Sequence, residues 1–229
     1  MTVPKTSRRL WWPALMAVSA IGIAAYAVPP YLTGNPADSN VPIDPDVALH
    51  YLSLAVHALP GGLALIIGPF QFMARLRARR PRLHRVAGRI YMISVLLASG
   101  AALFAATFSL GGLSVQVAFY LLVAAWLYTL VRAYQSIRRG DARLHRIWMI
   151  RNYALTFAAV TLRLYLVTGL MLKQSFTSLP FDELYNASVW ASVLVNVVVA
   201  EYFIIQRTLA PRARQRGQAA PASTAAVAG

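Results

Sequence analysis

ALHYLSLAVHALPGGLALIIGPFQFM, residues Ala48–Met73, contains no Asp, Glu, Lys or Arg. The segment that follows, ARLRARRPRLHRVAGR at Ala74–Arg89, carries Arg75, Arg77, Arg79, Arg80, Arg82, Arg85 and Arg89. An uncharged run that stops at a cluster of cations reads as a helix leaving a membrane. At ~1.5 Å of rise per residue, such a run crosses a hydrocarbon core of ~30 Å. Strands would need only about ten residues each and would alternate in polarity, and no alternation is present. Inside hydrocarbon the backbone must satisfy its own hydrogen bonds, so helices remain.

Five further long apolar runs occur, at Leu10–Val28, Ile90–Leu110, Leu113–Val131, Asn152–Leu172 and Leu184–Gln206, the last two each holding one charge, Arg163 and Glu201. The whole chain is 58% hydrophobic and 13% charged, where a soluble domain is about half apolar and about a quarter charged. The expected fold class is an all-α integral membrane protein, a bundle of six transmembrane helices. It forms a single domain over 1–210, and a disordered cytoplasmic tail covers 211–229. There is no cysteine, which removes disulfides, thiolate metal sites and cysteine nucleophiles.

The cations set the orientation. Of the 22 Lys and Arg residues, all but Arg163 and Lys173 fall in the N-terminal segment, the loops after the second and fourth spans, or the tail. The alternate loops hold Asp38, Asp44, Asp46, Asp182 and Glu183. The positive-inside rule then puts both termini in the cytoplasm of a bacterial inner-membrane protein. The net charge of +15 is therefore a topology signal, matched to anionic lipid headgroups, and no nucleic-acid partner is expected. The first span has a second reading. Arg8-Arg9, an apolar run and Ala25-Tyr26-Ala27 also fit a cleavable signal, and cleavage would leave five spans with the same orientation.

RPRLHRVAG at Arg80–Gly88 and DARLHRIWM at Asp141–Met149 share Arg-Leu-His-Arg. Phe70-Gln71 and Tyr134-Gln135 end the helices before them. Spans two and three thus match spans four and five as a weak parallel hairpin repeat. His84 and His145 open the second helix of each pair, at equal depth.

Ionisable groups in a bilayer are costly and usually face the bundle interior. On span two, His50, His57, Gly61, Ala64 and Gly68 share one face by helical spacing, and on span five His145, Met149, Asn152, Thr156, Ala159 and Arg163 do the same. On span six, Trp190, Leu194, Val197 and Glu201 form a stripe. By the helical rise, Arg163 and His57 both lie roughly 25 Å from the cytoplasmic boundary and share a layer, whereas Arg151 and Glu201 each lie about 7 Å from it. The second pair is expected to form an ion pair, since a lone carboxylate there is expensive.

These placements support three functional classes. The first is membrane redox linked to haem b or a quinone, with His84 and His145 as axial haem ligands and cytoplasmic arginines meeting the propionates. The second is a proton-coupled transporter of a small solute, with His57, Arg163 and Asn196 lining a cavity. The third is a structural or accessory membrane protein. In that case Arg-Leu-His-Arg anchors the helices at the lipid interface and His57 bonds across helices as packing glue. No phosphate loop, nucleophile elbow or His-Glu-x-x-His motif is present.

The combination of His57, Gly68-Pro-Phe-Gln-Phe72, Leu83-His-Arg85, Gly88-Arg-Ile-Tyr91, Gly111-Gly112, Leu144-His-Arg146, Trp148-Met-Ile-Arg151, Leu162-Arg163, Asn196 and Glu201 resembles a bacterial family of predicted membrane proteins, domain of unknown function 2306. The resemblance spans roughly residues 48–206. It implies a multi-span helical membrane protein and brings no catalytic residues.

Overall fold

The structure, a computed structural model, describes residues 8–173 and 180–206. The tail expected from Pro211 and its cations Arg212, Arg214 and Arg216 lie outside them. Eight α-helices follow in order: α1 Arg8–Ala27, α2 His50–Gln71, α3 Ala74–Arg79, α4 Pro81–Thr107, α5 Gly112–Arg138, α6 Ala142–Thr156, α7 Ala158–Lys173 and α8 Phe181–Ile204. No strand occurs among the described residues. Among the described residues, six segments are long and apolar enough to cross a membrane, with α6 and α7 together making the fifth. The protein is a multi-pass helical membrane protein.

The interruption between α6 and α7 is one residue long. Phe157 N–H still bonds the Tyr153 carbonyl, while Val160 N–H reaches back only to Phe157. This is a local tightening to 3₁₀ geometry, and the span continues.

The basic connections are more helical than their composition suggests. The third span starts at Pro81, well before Ile90, because proline suits the first turn of a helix. Before it, α3 makes the arginine-rich connection itself a short helix. Gly140 adopts a φ of +77°, closing α5 with a residue that tolerates the left-handed region. The Asp141 carboxylate then caps α6 by accepting from Leu144 N–H at 2.8 Å. Both Arg-Leu-His-Arg segments are therefore first turns of helices.

Helix α2 packs on α4, α5 on α6, and α7 on α8, with α1 against α2. Small residues allow the close approach: Ala64 and Ala98 are fully buried, and a Cβ on Gly61 would stand 3.7 Å from Ala98. This is how membrane helices associate where burial of apolar surface gives no drive. The large side chains point outward, as Ile93, Leu96, Leu97 and Leu121 do.

One contact ties α2 to α6. Pro69 has no N–H, so the Leu65 carbonyl one turn earlier has no partner within its helix. Tyr153 O–H donates to that carbonyl at 3.0 Å. Its ring lies directly on Gly68, where any Cβ would overlap it. Phe72 then meets the same ring edge-on at 5.6 Å.

Candidate functional site

A polar layer crosses the middle of the bundle. Tyr91 on α4 donates to Asn152 Oδ1 on α6 at 2.8 Å and lies 2.9 Å from Thr156 Oγ1. Trp126 on α5 donates to the same hydroxyl at 2.9 Å. The Asn152 amide donates to the Trp126 carbonyl at 2.8 Å and to Thr129 Oγ1 at 2.9 Å. Tyr91 and Asn152 are fully buried. All these side-chain groups have partners, and the layer binds α4, α5 and α6 together. Nothing is left over for a ligand.

Toward the basic end the pattern changes. His84 precedes Tyr91 by the same two turns by which His145 precedes Asn152, so the Tyr91–Asn152 contact sets the two histidines at one level. His145 Nδ1 lies 2.8 Å from the Ala133 carbonyl, so that nitrogen carries a proton and donates it there. His84 Nδ1 is buried with no partner. The Gln71 side chain is also buried, and its Nε2 has no partner. A Cβ on Gly88, one turn after His84, would stand 3.5 Å from Gln71 Oε1, so the two orphaned nitrogens belong to one neighbourhood. Arg77 closes it by donating to the Gln71 and Phe72 carbonyls at 3.3 and 3.1 Å. His145 and Arg77 both lie within electrostatic reach of His84. Partial burial, and then the nearby Arg146, hold the Arg77 guanidinium below its ordinary pKa.

The other expected residues are dispersed. His57 Nδ1 lies 3.0 Å from the Ala98 carbonyl, and its ring meets Trp126 edge-on at 6.5 Å. Arg163 donates to the Ala159 carbonyl of its own helix at 2.8 Å, with Tyr26, Tyr31 and Tyr185 as electrostatic neighbours. His57 and Arg163 feel one another, but Asn196 is engaged elsewhere, donating to the Ala154 carbonyl at 3.0 Å. Arg151 and Glu201 form a bidentate ion pair, at 2.5 and 2.9 Å. His50 Nδ1 accepts from Asp44 N–H at 2.9 Å and holds the loop before α2. The stripe read on the last span is rotated. Leu194 and Val197 are exposed, and Val189, Ser192, Asn196, Ala200 and Ile204 face inward. Small and polar side chains, with Val189 and Ile204, line the packed side of α8, and Leu194, Val195, Val198, Val199 and Phe203 face outward.

The family model described as "Predicted membrane protein (DUF2306)" matches residues 54–204. The chain belongs to this family. No curated protein and no solved structure matches it. Within the DUF2306 match lie both Arg-Leu-His-Arg histidines, Gln71, Arg77 and the whole central layer, whereas His50 falls before it.

Sequence reasoning passed over three members of this arrangement. Trp126 sits inside an apolar run and looks like bulk, although an indole N–H in hydrocarbon demands an acceptor. Gln71 was noted only as a helix end, and Arg77 only as one cation among many.

Proposed function

We propose that this DUF2306 protein is an inner-membrane protein with both termini in the cytoplasm, whose basic mouth binds the head group of a membrane quinone as part of a redox step. One observation carries the reading: Gln71 Nε2 and His84 Nδ1 are both buried without a hydrogen-bond partner, and Gly88, one turn after His84, packs against the Gln71 amide. An unpaired buried donor costs about 1–3 kcal/mol. A quinone carbonyl oxygen would answer both nitrogens at once. Reduction of a quinone consumes two electrons, which a separate reductant such as a reduced flavoprotein would supply, and two protons, one through His84 and the other from water at the basic mouth. His84 is the group able to hand over a proton at that oxygen, and Arg77 would stabilise the negative charge that develops there.

The matched level of the two histidines supports a second reading, a haem b held between His84 and His145 with its propionates on basic-end arginines. Iron there would supply one-electron chemistry. That arrangement leaves Gln71 Nε2 without an acceptor, which is why the quinone stands first.

The test is binding of a short-chain ubiquinone to detergent-purified protein, followed by tryptophan fluorescence. We expect His84→Ala and Gln71→Leu each to weaken binding at least about tenfold, the worth of one hydrogen bond lost to a buried group, and His57→Ala to leave it unchanged. Equal affinity in all three variants would remove the quinone. A Soret band in the purified protein that disappears in both His84→Ala and His145→Ala would select the haem instead.

A further inference from the structure

A cleft opens between α5, α6 and α8, with a volume of about 340 Å³. Its walls are apolar, formed by Ala125, Leu155, Val197 and Ala200, and it ends at Trp148, Arg151 and Glu201. The polar end carries more positive charge than it can neutralise. Arg151 and Arg132 both approach the Trp148 ring, with guanidinium carbons 4.6 and 5.2 Å from its centroid. Glu201 takes up Arg151. No carboxylate among the described residues lies within salt-bridge distance of Arg132. The Trp148 indole N–H is buried and has no acceptor. Tyr128, exposed at the rim, meets the indole edge-on at 5.6 Å. The cleft therefore joins an apolar trough to a surplus cation and an unused N–H donor.

We infer that this cleft is a binding site for one acidic glycerophospholipid. An acyl chain lies along Leu155, Val197 and Ala200, and the phosphate oxygens accept from Arg132 and from the Trp148 indole. The surplus charge is what selects an acidic head group over a zwitterionic one. It also separates this site from the quinone mouth, where a neutral carbonyl suffices. The inference does not depend on that reading.

Native mass spectrometry of the full chain, incubated with equal amounts of phosphatidylglycerol and phosphatidylcholine, tests it. The expected result is a single-lipid adduct that favours phosphatidylglycerol by about fivefold, the worth of one basic residue beside an acidic lipid surface. Arg132→Gln, at an exposed position, should abolish the preference. Trp148→Phe, which keeps the ring and removes the N–H, should reduce it. Ala125→Leu should fill the trough and reduce both adducts, and if that variant does not fold, Arg132→Gln alone decides. Equal adducts of the two lipids would overturn the site. So would a phosphatidylglycerol preference that survives Arg132→Gln, or a neutral quinone retained in the cleft without any such preference.

Discussion

Tyr91 and His84 stand on one helix about two turns apart, and so do Asn152 and His145. In the upper layer Tyr91, Trp126, Asn152 and Thr156 satisfy one another at 2.8–2.9 Å. In the lower layer the Nδ1 atom of the half-buried His84 and the Nε2 atom of the buried Gln71 are enclosed and bond to nothing. The same two helices, at the same spacing, thus build one layer that is complete and another that waits for an acceptor. Buried polarity alone does not mark a site. Buried polarity with an unmet donor does, because such a group lowers stability unless something else in the molecule's life compensates.

Substitutions should separate the two layers by size of effect. Asn152→Leu should cost the most. It removes three side-chain hydrogen bonds, and at the average of ~0.6 and maximum of ~1.7 kcal/mol measured per bond in membrane bundles the loss is about 2–5 kcal/mol, read as a lower midpoint in detergent unfolding. Tyr153→Phe should cost about 1 kcal/mol by leaving the Leu65 carbonyl bare. Adding Pro69→Ala should restore most of that, since alanine returns an N–H to the carbonyl. Glu201→Gln should follow at about 1 kcal/mol or less, because the pair is half-exposed and screened. Gln71→Leu should be smallest, neutral or slightly stabilising within about 0.5 kcal/mol, while weakening quinone binding at least about tenfold. If Gln71→Leu proves as damaging as Asn152→Leu, the two layers are not different in kind.

The six spans were legible because each is a long apolar run with at most one charge, Arg163 in the fifth and Glu201 in the sixth, and length and polarity decide membrane crossing with little help from tertiary context. The repeated Arg-Leu-His-Arg string also marked the openings of α4 and α6, but the helix α3 before the first of them was not legible, because dense arginine reads as a loop. The inward face of α8 was misread for a related reason. In lipid the larger apolar residues turn outward, so Leu194 and Val197 pointed the wrong way and Ser192 and Asn196 the right one. The matched histidines were visible as a repeated string. The orphaned nitrogens were not, since whether an amide finds a partner depends on three helices meeting, and no single segment encodes that.

Pro69 has a consequence for biogenesis. When α2 enters the bilayer, the residue that will donate to the Leu65 carbonyl has not yet been translated: Tyr153 lies on the fifth span. The early half of the chain therefore reaches the lipid one bond short and is completed only when the later half docks. A nascent fragment ending after the third span should accordingly be a substrate for membrane quality control, and supplying the missing spans as a separate polypeptide should rescue it.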